Sequence, residues 1–566
     1  MFDALSTEAN TTVQTVFGLE GISVNWQPPR EDGHGDLMTT IALQLAKKVG
    51  QSPRDIAQKI AAALASSSSI EKIEVAGAGY VNVWLKPAVL LQELKITEAA
   101  CTAQKARKGE APVIVEYSSP NIAKPLGIHH ILSTIIGQSI ANLYEHLGYY
   151  VIHWNYIADW GVQFGKLSVA HRHWGTKSIQ EYTLDELLTL YVRFHKEVDA
   201  GKPELEEEAR KEFKKLEDGD AALRTFLDAV VATTKISLAH LYKRLHVSFD
   251  VDLGEGFYED KMAPVIEEGK RTKVFVEGEK GALITNFAES TGLPPYMIVK
   301  GDGATLYSTR DLAQMRYRID TYHPQAIYIV TDIAQKLHFE QLVATCKQLQ
   351  WEIPAFENIL FGRMRFADGK MSTRTGNIVK LEEVIEEGVH RAAHVISSRG
   401  ESIQTDDPKA LAEMMGVGAL VYGVLSQNRK MDIVFDWDKC LSFEGNSAPY
   451  LMYTHARACS VLRKAKVQHP KMPKDAHTFT THERTLLSKL LQFPSTIEAA
   501  RTEHLPHTLA NYLYQLCQDF NAFYSADPIV TAPEAERNLR LALTSLTASV
   551  LKTGAELLTL RVPERM

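Results

Sequence analysis

The 566-residue chain has only five cysteines, Cys101, Cys346, Cys440, Cys459 and Cys517, and none of them forms a CxxC pair. That scarcity excludes a disulfide framework and argues against a structural zinc site, and it points to a reducing, cytoplasmic setting. Long apolar runs are missing as well. The longest candidate, Gly416 to Leu425, is about half of the ~20 residues a bilayer span needs, so no membrane partner is expected. The opening stretch MFDALSTEANTT lacks a basic start followed by an apolar core, which argues against a secretory signal. There is no excess of positive charge either. With 62 basic against 69 acidic residues the net charge is −7, so a nucleic-acid partner must be met by local basic patches. Internal repeats and low-complexity tracts are absent. A composition of 45% hydrophobic and 23% charged residues excludes a disordered or fibrous chain. At about 150 residues per domain, the length implies three or four domains.

Residues 1–108 read as an α+β unit. Helical periodicity runs through Leu37–Val49 and Pro53–Ser66, and Pro53 suits a helix first turn. Ile73–Leu85 reads as strands broken by Gly77 and Gly79, and the small, charged stretch 103–112 as a linker. Val113–Tyr117 then predicts a buried strand, Ser118–Pro125 a loop, Gly127–Leu147 a long helix and Tyr149–Ala158 a second strand. Strand, turn, helix and strand in that order form the βαβ unit of a doubly wound parallel sheet. Residues 183–245 are helical by pattern, open with the capping-box pair Thr183 and Glu186, and read as an insertion into the sheet. Strand signals return at Tyr296–Lys300 and Ala326–Val330, followed by helices at Arg310–Tyr322 and Gln335–Gln350. From about residue 410 the pattern is almost purely helical, with loops near His469–Lys474 and Ser525–Pro533. The expected fold class is therefore α/β. A doubly wound parallel-sheet (Rossmann-like) catalytic domain spans 109–410, with a helical insertion at about 166–245. An α+β domain (1–108) precedes it and an all-α bundle (411–566) follows.

Two segments carry chemistry. The first, Glu116-Tyr-Ser-Ser-Pro-Asn121-Ile-Ala-Lys124-Pro-Leu-Gly127-Ile-His129-His130, occupies the turn between strand and helix. Open α/β sheets bind ligands at the carboxyl ends of their strands, and phosphates favour helix amino termini. A lysine and two histidines there place donors where a triphosphate sits, although a polar turn with a capped helix fits each residue singly. The second, Gly369-Lys370-Met371-Ser372-Thr373-Arg374-Thr375-Gly376-Asn377, is a hydroxyl-rich basic loop suited to wrapping phosphate oxygens, and equally a solvated loop.

Together and in this order the two segments resemble the HIGH and KMSKS signatures of class I aminoacyl-tRNA synthetases. SSPNIAKP, STIIG, DWGVQFG, LYSTRD, GKMSTRTGN and the ending LKTGAELLTLRVPERM resemble arginyl-tRNA synthetases in particular. GDLMTTIALQLAKK and YLMYTHARA extend the resemblance to both outer domains. The resemblance implies an arginine–tRNA ligase that activates L-arginine with ATP and transfers it to the 3′-terminal adenosine of tRNA(Arg), releasing AMP and pyrophosphate. It implies that Glu116, Tyr307 and Asp311 bind the substrate guanidinium, whose planar fork of five N–H donors suits two carboxylates and a phenol. Ser119, Asn121, His130 and Gln335 are implied to hold the amino and carboxylate ends. Lys124, His130 and Lys370 are assigned to catalysis, and Lys124, Gly127, His129, His130, Lys370, Met371 and Ser372 to ATP. Magnesium is expected to arrive with ATP, held largely by phosphates and water, with no protein metal site. The family resemblance also implies that activation depends on bound tRNA.

Two departures stand out. Pinned by Lys124-Pro125 and Ser133-Thr134, the first signature reads Gly127-Ile128-His129-His130, with the usual first His and Gly replaced. Thr373 replaces the second lysine of KMSKS, with Arg374 next to it. The first change opens an alternative reading, a catalytically silent tRNA-binding paralogue, while His129 or Lys124 is the expected compensation for an active enzyme. In the outer domains, Tyr80 and Asn82 resemble the segment that meets the tRNA elbow, Tyr80 stacking on a base and Asn82 bonding its edge. A core tyrosine fits that strand equally. Arg457 and Tyr450 read as helix-packing residues as readily as anticodon contacts, and the aromatics of Tyr512–Tyr524 as a core stripe. No long heptad or exposed apolar stretch points to an obligate dimer, so a monomer is expected.

Overall fold

In a computed structural model of the chain, every residue is described except 1–2, 30–32, 108, 368–378, 401–402, 468–469 and 474–477. The amino-terminal unit comprises α1 (Asp3–Phe17), β1 (Leu37–Thr39), α2 (Ile41–Val49), α3 (Pro53–Leu64), β2 (Ile70–Ala76), β3 (Tyr80–Leu85) and α4 (Pro87–Ala100). β3 lies between β1 and β2 and is antiparallel to both. The helix predicted from Leu37 therefore starts at Ile41, because Leu37–Thr39 pairs with β3 and buries all three of its side chains. Ser52 accepts the Asp55 N–H and Pro53 occupies the first turn, which fixes the start of α3.

The catalytic unit begins with β4 (Val113–Glu116), α5 (His130–His146) and β5 (Val151–Ile157). Four helices follow, α6 (Val162–Trp174), α7 (Leu184–Asp199), α8 (Glu204–Glu217) and α9 (Ala221–Arg244), before β6 (Val251–Gly254) returns to the sheet. Thr183 and Glu186 make both bonds of a capping box at the start of α7. Next come α10 (Glu259–Arg271), β7 (Phe275–Glu277), β8 (Leu283–Thr285), β9 (Tyr296–Val299), α11 (Tyr307–Tyr322), β10 (Ala326–Asp332), α12 (Lys336–Gln348), β11 (Ala355–Phe361), β12 (Met364–Phe366) and α13 (Leu381–Arg399). The main sheet has the order β11-β10-β4-β5-β6 and every pair in it is parallel. The strand at Tyr296 forms, but in a separate antiparallel sheet, β7-β8-β9. β4 sits at the centre of the main sheet with all four residues buried, and α5 is buried on nearly every side, so a continuous apolar run marks each. α5 begins at His130 rather than Gly127, since residues 127–129 form the turn into it.

The carboxyl-terminal part comprises α14 (Pro408–Leu425), β13 (Ile433–Phe435), α15 (Trp437–Cys440), α16 (Ala448–Ala465), α17 (Thr481–Leu490), α18 (Phe493–Thr502), α19 (Pro506–Ala526) and α20 (Glu534–Leu557). It is helical apart from β13, which pairs in parallel with β12 and ties the bundle to the catalytic unit. α14 is long and apolar enough to cross a bilayer, yet 72% of that stretch is buried inside the fold. The amino-terminal unit docks on the bundle through Asp36, whose carboxylate accepts from Arg484 Nε and Nη2 at 2.9 Å each and from the Leu85 N–H at 2.6 Å.

Candidate active site

The turn after β4 lies at the carboxyl edge of the sheet, where parallel sheets bind ligands. Ser118, Ser119 and Ala123 adopt left-handed backbone conformations, with φ of 72°, 48° and 62°. Such conformations cost about 1–3 kcal/mol each unless the surroundings enforce them. Here α5 and α9 do so from two sides. The Ser118 N–H donates to Ser133 Oγ at 3.0 Å, and Ser118 Oγ lies 2.7 Å from the Tyr242 hydroxyl and accepts from Thr134 Oγ1 at 2.9 Å. The Ala123 N–H donates to Thr234 Oγ1 at 3.2 Å. Beneath the turn, a Cβ at Gly137 would fall 2.2 Å from Tyr117 Cβ, so the absence of a side chain lets α5 press against the end of β4.

A cavity of about 600 Å³ opens at this turn, lined by Ser118, Ser119, His129, His130, Asp332 and Gln335, with Arg363 also on its wall. His130 is the first residue of α5, and its Nδ1 meets the Gly127 backbone, 3.0 Å from the amide nitrogen and 3.2 Å from the carbonyl oxygen. Burial, reinforced by His129, pushes the His130 pKa down to about 4, so the ring is neutral at neutral pH. The His129 ring is 4.0 Å from that of His130. Burial lowers its pKa too, and Asp332 opposes the shift. Lys124 stands outside the cavity lining. Its ammonium lies 4.7 Å from the Tyr191 ring, and burial and Lys166 both lower its pKa. Asn121 is exposed and bridges to Ala158.

Lys370, Met371 and Ser372 lie outside the described residues. The segments on either side of them both reach the first signature. Arg363 and Met364 line the cavity, the Val379 carbonyl accepts the Ile128 N–H at 2.9 Å, and the Leu381 N–H donates to the Leu126 carbonyl at 2.8 Å.

A cluster of carboxylates gathers around the start of α11, where Asp311 raises the pKa of both Glu116 and Glu255. Tyr307 and Asp311 lie one turn apart at the start of α11, Tyr307 being 60% exposed. Asp311 Oδ2 is 2.6 Å from His338 Nε2, and His338 Nδ1 is 3.0 Å from the Tyr296 hydroxyl. Glu116 departs from expectation. It is 4% exposed and ion-paired with Arg318 of α11, so a guanidinium from within the chain already occupies its carboxylate. Arg318 in turn lies 4.3 Å from the Trp154 ring. Burial raises the Glu116 pKa, Arg318 opposes that shift, and Asp311 adds to it. Glu255, just after β6, is pushed up to about 7, chiefly by burial; Arg310 opposes this, while Asp311 and Asp159 add to it. Arg318, His338 and Glu255 belong to no short motif. Only the seven-residue step from Asp311 to Arg318, two turns along one helix face, marks Arg318 in the sequence.

In the outer domains, Tyr80 is 38% exposed at the start of β3, whereas Asn82 is 3% exposed between β1 and β2. Of the two, it is Tyr80 that is open to a partner, while Asn82 is buried. A groove of about 960 Å³ runs along α16 and the end of α19, with Tyr453, Arg457, Arg463, Lys464, Tyr524 and Arg565 on its walls. Arg457 stacks between Tyr453 and Tyr524, at 4.6 and 5.0 Å. Tyr512, Phe520 and Phe523 are buried as a core stripe, but Tyr524 leaves that stripe for the groove.

Comparison with known proteins matches three family models in sequence order. They are the arginyl tRNA synthetase N terminal domain at residues 3–85, the class I (R) tRNA synthetase catalytic domain at 90–437 and the DALR anticodon binding domain at 451–566. The arginine–tRNA ligase of Fusobacterium nucleatum is 39% identical over 539 residues, 94% of each chain, and that of Cellvibrio japonicus 36% identical over 555 residues, 95% of each. Among solved structures, Thermus thermophilus arginyl-tRNA synthetase superposes with a TM-score of 0.82 at 25% identity, covering 100% of this chain and 99% of that one. The Plasmodium falciparum enzyme gives 0.83 at 25% identity, covering 100% and 98%. With its catalytic, amino-terminal and anticodon-binding parts all matched, the chain belongs to the arginyl-tRNA synthetase family of class I aminoacyl-tRNA synthetases.

Proposed function

We propose that this protein is an arginine–tRNA ligase, acting as a monomer in the cytoplasm. The observation that carries the reading is the link that α12 makes between two places: Gln335 at its start lines the cavity at His130, and His338 one turn on bonds Asp311 among the carboxylates. Arginine enters with its guanidinium toward Asp311 and Tyr307, while Glu116 is held by Arg318 behind them. Ser119, Asn121 and Gln335 take its amino and carboxylate ends. ATP, with its magnesium as part of the substrate, lies along Gly127, His129 and His130. The neutral His130 ring hydrogen-bonds a phosphate or ribose oxygen through Nε2. A carboxylate oxygen of arginine attacks the α-phosphorus in line, a new P–O bond forms, and the bond to the pyrophosphate oxygen breaks. Lys370, with Met371 and Ser372, is proposed to hold the departing phosphates, and Lys124 to add a second positive charge nearby. A ribose hydroxyl at the 3′ end of tRNA(Arg) then attacks the activated carbonyl carbon, and AMP leaves. Tyr80 stacks on the tRNA elbow, and the Arg457 groove takes unpaired bases on Tyr453 and Tyr524.

The test is arginine-dependent ATP–pyrophosphate exchange with and without tRNA(Arg). Exchange with tRNA present, lost in Asp311→Ala, is expected. Absence of exchange in both conditions while the tRNA still binds would favour the silent-paralogue reading of Gly127 and His129.

A further inference from the structure

We infer that His338 is a positioning residue for the guanidinium pocket, fixing the Asp311 carboxylate and the Tyr307 ring in the arrangement that accepts a planar cation. This rests on the arginine-activation reading above. The geometry determines how the histidine is held. At 2.6 Å from Asp311 Oδ2, Nε2 must carry the hydrogen, since a carboxylate offers none. Nδ1 faces the Tyr296 hydroxyl at 3.0 Å, and that phenol is kept protonated by burial, so it supplies the hydrogen of the second bond. The chain of donors therefore runs in one direction, from Tyr296 through His338 to Asp311. Both ring nitrogens are engaged, and the ring is 9% exposed, so it can neither flip nor swing without losing a buried hydrogen bond.

Two consequences follow for the pocket. Asp311 is held by one oxygen only, since among the described residues no donor reaches Oδ1. Oδ1 is therefore left for a ligand in a fixed plane. Tyr307, otherwise 60% exposed, meets the edge of the same His338 ring at 4.9 Å and 61°. One histidine thus sets the spacing between the free carboxylate oxygen and the phenol. Two acceptors at a fixed spacing match two N–H groups of a guanidinium fork, whereas an ammonium needs no such spacing. His338 also sits one turn along from Gln335, which lines the ATP cavity, so α12 ties the side-chain pocket to the reacting end.

The experiment is exchange kinetics with tRNA(Arg) at varied arginine for wild type, Asp311→Asn, His338→Phe and His338→Gln. Phenylalanine keeps the ring packing against Tyr307 but has no donor, while glutamine retains an N–H able to reach Oδ2. The expected result for His338→Phe is a KM for arginine raised about 10–100-fold, the worth of a charge-assisted hydrogen bond, with kcat changed far less. His338→Gln should recover most of that loss. A wild-type KM in His338→Phe, or a fall in kcat and thermal stability with KM unmoved in both variants, would overturn the inference. An unchanged arginine KM in Asp311→Asn would instead overturn the arginine reading on which it rests.

Discussion

The carboxylate pocket should release a proton when it binds its cation. Glu255 sits close enough to Asp311 and Asp159 for both to raise its pKa, and burial brings it to about 7. In the free protein at pH 7 it is therefore about half protonated. A guanidinium at Asp311 brings a positive charge into this low-dielectric surrounding and favours the ionised carboxyl. If the Glu255 pKa returns to the ordinary carboxylate range, binding expels about half a proton at pH 7 and almost none at pH 9. The sign follows directly. Between the ordinary value near 4.5 and the raised value near 7, arginine competes with a proton, so its affinity rises with pH, at most about tenfold per pH unit, and levels off above 7. Calorimetric titration of arginine at pH 7 in phosphate and in Tris, whose ionisation heats differ, counts the protons released. Glu255→Gln should bind arginine with the release abolished. Arginine binding without proton release at pH 7, or with equal release in Glu255→Gln, would refute the reasoning.

Three further predictions concern the scaffold. Asp36→Ala leaves Arg484 with Glu71 as its one carboxylate, at 3.3 Å, and the Leu85 N–H without its side-chain acceptor. A loss of about 1–3 kcal/mol is expected in urea unfolding, together with faster proteolysis between the amino-terminal unit and the rest. Gly137→Ala places a methyl group 2.2 Å from Tyr117 Cβ, and its thermal midpoint should fall by the equivalent of about 1–3 kcal/mol even though alanine favours helix. An unchanged midpoint would show that α5 and β4 have room to part. His130 is protonated near 6.5 in an unfolded chain but only near 4 in the folded one. Protons therefore favour the unfolded state between those values, and stability falls as pH drops through that window. Urea unfolding at pH 5 should show about 2 kcal/mol less stability from this residue than at pH 7, a difference that His130→Asn removes.

Much of the fold was legible because burial leaves a local trace. Val113–Glu116 reads as an uninterrupted apolar run because it is covered on both faces, and α7 and α9 carry their own caps. β1 was hidden because three residues of strand adjoin an amphipathic helix without a break in hydrophobicity. β7 and β8 escaped for a similar reason, since strands of three residues hold too few alternations to show a period. Site residues divide in the same way. Ser119, His129 and His130 lie in one short segment and meet in one cavity. Glu116 and Arg318, by contrast, are 202 residues apart, and nothing local to either records their pairing.

That pairing bears on what the pocket selects. A resemblance carries residues across, but not the partners they have taken. Were Glu116 and Asp311 both free, the pocket would offer two negative charges to a substrate with one, and one of the acids would have to keep its proton. Arg318 removes that surplus by taking Glu116 from beneath, where Trp154 covers its guanidinium. Asp311 is left facing the open side, bonded by a histidine that satisfies one of its oxygens. The charge that remains around Asp311 attracts any monovalent cation. On the placement proposed above, selection of arginine over lysine comes from shape, through Asp311 Oδ1 and the Tyr307 phenol, because a lysine ammonium satisfies the charge but not the fork.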